Sequence, residues 1–396
     1  METTRLDREI ALEREELRRI INERKKNKKL SKKKNKKIKK GKTKLKIFFG
    51  VMFNLGSIGI ITVLFLLYGP WAGFRNWLVT TAMTTMTHQY FATWFYDDNV
   101  INDVLNNNKV VELEDSTNTD LININTSNKV EYANEYERQI LERDEENNDY
   151  KIIEIEGKGY SGYLVAVYEP SRIKTVVTAK LGSSGQYLTK MASDNDAVLA
   201  INGGGFNDPN FNSTGGSPLG ITVTSGKYVT TDGYGGSGGI IDFTEDDVLV
   251  LEKCSLTKAK QLGIRDAVTF GPFLIVNGTP AKVLGNGGWG LAPRTVIGQR
   301  QDGIVLLLVI DGRKAGKMGA DMDDLIDIML NYGAYNAANL DGGTSSVLVV
   351  DNTIVNDPID STGAHKTRPI STGFILTKDE SDDGDRGPIE DKLSQN

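Results

Sequence analysis

The sequence predicts an α+β fold, a domain with a large mixed β-sheet and few helices, preceded by one N-terminal transmembrane helix. Three observations carry this. Apolar or alternating runs of strand length recur from residue 150 to residue 378 with glycines between them, and runs of that length bounded by turn residues are the mark of sheet. Helical periodicity is rare over the same region. One uncharged stretch of membrane-spanning length lies early in the chain, and about 20 apolar residues at roughly 1.5 Å each cross a bilayer core.

The elements follow in order. Residues 1–46 are a basic tail with 20 Lys and Arg against 7 Asp and Glu, whereas the rest of the chain holds 27 against 45. So uneven a distribution points to two environments rather than to one nucleic-acid-binding surface, and no nucleic-acid partner is expected. Leu6, Ile10, Leu12 and Leu17 recur at roughly helical spacing, which predicts a solvated helix at the start of the tail. Residues 47–69 are the transmembrane helix, uncharged from Ile47 to Tyr68. Fifteen Lys and Arg lie between Arg24 and Lys46. The positive-inside rule therefore places the N-terminus in the cytoplasm and the rest outside the cell membrane. A cleaved signal peptide would need a shorter apolar region and a small-residue cleavage site, which Tyr68-Gly69-Pro70-Trp71 does not supply. The lysines also favour anionic membrane lipid.

Residues 70–96 carry Trp71, Phe74, Trp77, Tyr90, Phe91, Trp94 and Phe95. They read as an aromatic segment along the outer interface, with a helix packed on the globular domain as the other reading. Residues 97–150 are rich in Asn, Asp and Glu and read as an acidic, solvated linker, partly helical near residues 132–141. From residue 151 to 378 runs the folded domain. Strands are expected at 151–156, 162–168, 175–179, 197–201, 220–223, 239–243, 269–276, 295–298, 304–310, 337–340, 346–350 and 373–376. Helices are expected at 321–332, with Asp321 as N-cap and Asp324 reaching back, and within 182–194. Residues 379–396 are acidic and expected to be disordered.

Cys254 is the only cysteine, so neither a disulfide nor a cysteine metal site is available; exported domains without disulfides fit a Gram-positive surface. His88 and His365 are the only histidines, so histidine catalysis would rest on His365. A serine-triad hydrolase is not expected, nor is nucleotide binding, for which no full Gly-x-x-x-x-Gly-Lys-Ser/Thr loop is present.

Three glycine-rich turns each follow an apolar strand: Asn202-Gly203-Gly204-Gly205, Asp311-Gly312-Arg313 and Asp341-Gly342-Gly343-Thr344-Ser345. One such turn is ordinary hairpin chemistry; three together point to a site at strand ends. Arg294, Arg313 and Arg368 are the cationic candidates, and guanidinium groups suit an anionic substrate. Asp341 and Asp311 remain as acid or base, and an oxygen-liganded Ca²⁺ or Mg²⁺ at these residues is compatible with the pattern.

Taken in order, Asn202-Gly-Gly-Gly-Phe206, Ala292-Pro-Arg294-Thr295, Asp311-Gly-Arg313, Asn339-Leu-Asp341-Gly-Gly-Thr-Ser-Ser346 and Arg368-Pro-Ile370 resemble the phosphodiester glycosidase family, over roughly residues 155–378. The resemblance implies a hydrolase that cleaves a sugar joined through its anomeric carbon to a phosphodiester. It implies catalytic roles for Asp341 and Asp311. It also implies substrate or phosphate binding by Asn202, Gly203, Gly204, Arg294, Thr295, Arg313, Gly342, Gly343, Thr344, Ser345 and Arg368, with the N–H groups of Gly342 and Gly343 adding anion contacts. With the anchor, the expected partner is a sugar-phosphate polymer of the cell envelope, such as a teichoic acid or phosphorylated exopolysaccharide. A non-catalytic glycan-binding or assembly factor, and a metal-dependent phosphodiesterase cutting P–O, are the alternatives.

Overall fold

The computed structural model describes residues 3–84, 88–124, 131–144, 147–207, 214–233, 236–360 and 362–378. The acidic tail at 379–396 lies outside the described residues. The chain divides into two compact units, Met1–Arg75 and a second beginning at Asn76.

The first unit is dominated by one helix, Thr3–Tyr68. Its apolar part, Lys44–Tyr68, spans 25 residues at a mean hydropathy of 2.1, long and apolar enough to cross a membrane. Asn54, Ser57 and Thr62 do not interrupt it, because each donates to the carbonyl four residues back and so hides its polar group within the helix.

The second unit has the expected α+β character, with its strands distributed over several sheets and paired antiparallel. The largest sheet has seven strands in the spatial order Thr279–Pro280, Phe273–Val276, Ala334–Asn339, Arg294–Arg300, Val305–Asp311, Tyr160–Val167 and Tyr150–Gly157. A five-stranded sheet runs Thr353–Ile354, Leu348–Val350, Ala197–Asn202, Thr372–Thr377, Ile173–Val177. A second runs Leu249–Glu252, Gly239–Thr244, Ile264–Phe270, Ile221–Thr224, Lys227–Thr231.

The central strands are apolar throughout because both of their faces are covered. Leu306, Leu308 and Ile310 point into one core with Leu325, Ile326 and Met329 of the Met322–Asn331 helix. Val305, Leu307 and Val309 point into another, shared with Leu199, Ile201, Phe374, Ile241 and Phe243 of the two five-stranded sheets. Asp321 caps the helix as expected, accepting from Asp324 N (3.0 Å) while its own N donates to Asp324 Oδ2 (3.1 Å).

Two expectations change. The run at 269–276 is two strands in different sheets, with Gly271-Pro272 between them. The linker at 97–150 is not a solvated spacer where it is described: it is a strap fastened to the domain. Helix Asp98–Asn107 buries Ile101 and Val104, and helix Glu135–Leu141 buries Ile140 completely. Lys109–Val110 pairs with Val283–Leu284, Tyr168 Oη donates to Ile140 O (2.9 Å) and Tyr332 Oη to Gln139 Oε1 (2.8 Å). Composition misleads here because each short element needs only one or two apolar anchors, while asparagine side chains satisfy exposed backbone. Within 70–96, Val79, Thr80, Ala82 and Ala92 are buried, whereas Trp77, Tyr90, Phe91 and Trp94 are exposed. The packed-helix reading thus holds for one face of the segment beyond Asn76.

Candidate active site

The three glycine-rich turns meet at a seam between sheets. Asn202 ends a strand of one five-stranded sheet; Asp341 follows the Ala334–Asn339 strand of the seven-stranded one. Asn202 ties them. Its Nδ2 donates to Asp341 O (2.6 Å), and its Oδ1 accepts from Thr295 Oγ1 (2.7 Å) and Val347 N (3.2 Å). One backbone bond closes the seam, Asp341 N to Gly203 O (3.1 Å), while Gly203 N donates to Thr372 O (2.9 Å) on the neighbouring strand of its own sheet. Gly204 is needed for close packing, since a Cβ there would stand 2.7 Å from Thr269 O. Asn202, Gly203, Gly204 and Thr295 are all buried. They form the frame of the site rather than the substrate-facing surface expected of them.

The partly exposed surface belongs to Asp341 and Arg368, whose side chains are 17% and 24% exposed. Asp341 Oδ2 accepts from Arg368 Nη2 (3.0 Å), and Oδ1 accepts from Gly342 N (2.9 Å). Arg368 Nε donates to Ser345 Oγ (2.7 Å), and its guanidinium lies 4.6 Å from the Phe206 ring centre. Nε, Nη2 and one face of the guanidinium therefore each have a partner, which fixes the orientation of the carboxylate it holds. Gly343 N donates to Pro293 O (2.9 Å). Both glycine N–H groups expected to be open to an anion are thus already engaged, Gly342 by Asp341 and Gly343 by Pro293.

Arg313 sits beside this turn. Its Nη1 donates to Thr344 Oγ1 (2.8 Å) and Ile359 O (2.7 Å), and its Nη2 is 2.9 Å from the position of a Cβ at Gly343. Gly343 has φ 65°, and Arg313 itself has φ 60°, a left-handed backbone that is costly for a residue with a Cβ. Burial, then the neighbouring Arg368 charge, lowers the Arg313 pKa from its ordinary value.

Arg294 is buried, and burial pushes its pKa down to about 10, so it remains a cation at neutral pH. Its Nη2 donates to Trp289 O (2.6 Å) and Gly290 O (2.7 Å). Its Nη1 is 3.7 Å from the position of a Cβ at Gly342. Asp321 and Asp341 oppose that loss of basicity, as Asp360 does for Arg313.

Asp311 has a different neighbourhood. It is buried, accepts from Asn356 Nδ2 (2.9 Å) and Asp357 N (3.1 Å), and lies 3.6 Å from Lys314 Nζ. Asn356 in turn accepts from Leu348 N (2.8 Å). These bonds fasten the 356–357 loop to the sheet and leave Asp311 far less accessible than the catalytic role required. His365 is exposed, with Nδ1 2.6 Å from Asp357 Oδ1. Lys314 and His365 hold the Asp357 carboxyl below its ordinary value. Among the described residues, no group of three or more His, Cys, Asp or Glu is placed to hold a metal ion. A Ca²⁺ or Mg²⁺ at Asp341 or Asp311 would therefore have no carboxylate cluster of that size to hold it among the described residues.

Sequence reasoning passed over Phe206 and Trp289. Phe206 stood in the motif, directly after three glycines, and only its place beneath Arg368 explains it.

Residues 195–377 match the model of the phosphodiester glycosidase family. The SPbeta prophage-derived uncharacterized protein YomE of Bacillus subtilis (strain 168) is 28% identical over 175 residues, which is 42% of this chain and 26% of that protein. The chain thus spans about a quarter of the length of the curated relative it matches. Among solved structures, the zebrafish N-acetylglucosamine-1-phosphodiester alpha-N-acetylglucosaminidase catalytic domain, auto-inhibited by its pro-peptide, superposes at a TM-score of 0.48. It is 20% identical and covers 58% of this chain and 82% of that one. A putative exported protein from Burkholderia pseudomallei K96243 superposes at 0.42, is 17% identical and covers 55% and 74%. The family match over 195–377 covers the part of the chain that holds the Asp341–Arg368 pair.

Proposed function

We propose that the domain hydrolyses sugar-1-phosphodiester linkages, with Asp341 as the catalytic carboxylate and Arg368 and Arg313 facing the phosphate. One observation carries this reading: a partly exposed carboxylate is gripped by Arg368 on a turn that also holds Arg313. That arrangement suits an anionic substrate with a carboxylate at the reacting centre.

In the step we propose, Asp341 takes a proton from water as the water oxygen bonds to the anomeric carbon. The carbon–oxygen bond to phosphate breaks, and its electron pair leaves on the phosphate oxygen. A phosphomonoester is a fair leaving group, so the arginines need only stabilise its charge. The helix at Lys44–Tyr68 would anchor the enzyme in the cell membrane, with the basic tail on the cytoplasmic side against anionic lipid at about 1 kcal/mol per nearby charge. The substrate would then be an envelope polymer with sugar-phosphate links.

The test is sugar release by the purified full chain from a sugar-1-phosphodiester, run in ¹⁸O-labelled water. Label in the sugar, and loss of turnover in Asp341→Asn, is the expected result. Label in the phosphate would instead establish P–O cleavage, and retention of polymer without turnover would establish a binding factor.

A further inference from the structure

The loop Gly285-Asn286-Gly287-Gly288-Trp289-Gly290 lies outside every motif used above. Its four glycines have φ between 59° and 77°, a left-handed conformation that side chains resist. The loop is held from two directions. From the sheet, Arg294 donates to the Trp289 and Gly290 carbonyls, with its guanidinium 5.7 Å from the Trp289 ring centre. From the strap, Asn108 Oδ1 accepts from Asn286 N (3.1 Å) while Asn108 Nδ2 donates to Val104 O (2.8 Å). Asn286 Nδ2 donates to Thr80 Oγ1 (2.8 Å).

What this construction holds still is the Trp289 ring. It is half-buried and meets Phe270 edge-on, with ring centres 6.2 Å apart at 65°. Phe270 packs over Gly205, where a Cβ would stand 2.6 Å from its ring. The next residue, Phe206, lies beneath Arg368. An aromatic wall of Trp289, Phe270 and Phe206 therefore leads to the guanidinium that grips Asp341. On its other side Arg294 reaches from the Trp289 ring to beside Gly342. Rigid aromatic faces beside a few convergent polar groups are how proteins recognise ligands with one apolar and one polar part. A hexopyranose phosphate has that form, since its C–H face is apolar and its phosphate is anionic.

We infer that Trp289 is a specificity-determining residue, forming the wall on which the sugar ring stacks while its phosphate faces Arg368 and Arg313. Asn108 and Thr80 are positioning residues that set the place of the ring. This rests on the sugar-1-phosphodiester reading. The wall selects for a pyranose and not for the alcohol on the far side of the phosphate.

The experiment uses the full chain in detergent, methyl phosphodiesters of glucose and N-acetylglucosamine as substrates, and glucose 1-phosphate as the binding probe. Trp289→Ala should raise KM about tenfold with little change in kcat, the effect of losing roughly one aromatic stacking contact. Trp289→Phe should recover most of it. Glucose 1-phosphate should change the tryptophan fluorescence of the parent chain, and Trp289→Phe should abolish that change. Asn108→Ala should raise KM in the same direction and add nothing further to Trp289→Ala, because both act through one ring. Should the alanine variant fail to fold, Trp289→Leu keeps apolar bulk without the aromatic face and carries the same expectation. A parent that turns over beside a Trp289→Ala or Trp289→Leu variant of unchanged KM overturns this inference alone. A parent that neither releases sugar nor responds to glucose 1-phosphate overturns the functional reading, and this inference with it.

Discussion

Replacing Arg368 tests the site most directly, because its guanidinium makes three separate contacts. The first is the charge-assisted bond to Asp341 at 3.0 Å, the second the bond to Ser345 at 2.7 Å, and the third the ring of Phe206 at 4.6 Å. A charge-assisted bond contributes about 1.5–3 kcal/mol and a cation over an aromatic face about 0.5–2 kcal/mol. Asp341 and Arg368 are partly solvated, at 17% and 24% exposed, so screening reduces the gross sum to about 2–3 kcal/mol. If that energy orients Asp341 in the transition state, Arg368→Ala lowers kcat/KM roughly 30- to 150-fold, at 1.36 kcal/mol per tenfold. Arg368→Lys keeps the charge but loses the fork that spans Ser345 and Asp341, so it should fall between the alanine variant and the parent. The assay is initial-rate sugar release from a sugar-1-phosphodiester, with a melting curve for each variant. A threefold loss or less in Arg368→Ala, with unaltered melting, would refute the argument that this pair organises the site.

Three further predictions separate frame from surface. Asp311→Asn should lower unfolding stability by about 1–3 kcal/mol through the bonds it makes to the 356–357 loop, leaving sugar release within a few-fold of the parent; Asp341→Asn should do the reverse, and chemical denaturation beside activity reads both. Residues 151–378 expressed alone should fail to melt cooperatively, whereas a chain starting at Asn76 should fold. The strap's buried Ile101, Val104, Val110, Ile122 and Ile140, at about 2 kcal/mol each, sum to an upper bound comparable with a whole domain's stability of about 5–15 kcal/mol. Asp242 is fully buried with both carboxylate oxygens unbonded. Burial, then the Glu252 charge, raises its pKa well above the ordinary 3.8. Its proton is held more tightly in the fold than in the unfolded chain, so its contribution is complete below pH 3.8 and is lost as pH rises through the folded value. Asp242→Asn should therefore gain stability over the parent as pH is raised from 4 to 8, and a difference that does not grow with pH would count against a protonated Asp242.

The parts that could be read from the sequence are those where one residue pattern has one structural solution. The runs at 162–168 and 304–310 are apolar on both faces and became central strands, and Asp321 with Asp324 became the capping box. The convergence of Asn202, Asp341 and Arg368 followed from their motifs. Three things did not follow. An unbroken apolar run cannot report that Ile264–Phe270 and Phe273–Val276 join different sheets, although Pro272 was there to be read as a break. The strap's anchors were too sparse to stand out from its polar composition. A motif also gives its buried and exposed members equal weight, so Thr295 beneath Asn202 and Arg368 beside Asp341 looked alike until burial separated them.

The seam tied by Asn202 has a consequence in time as well as in space. Asp341 belongs to one sheet and its tether to another, so neither sheet alone presents the pair with Arg368 correctly aimed. The site comes into being only when the sheets dock, which places competence at the end of folding. A chain whose sheets are still unjoined would be inert. Activity would then appear as a late, all-or-none signal in refolding, lagging behind the gain of secondary structure.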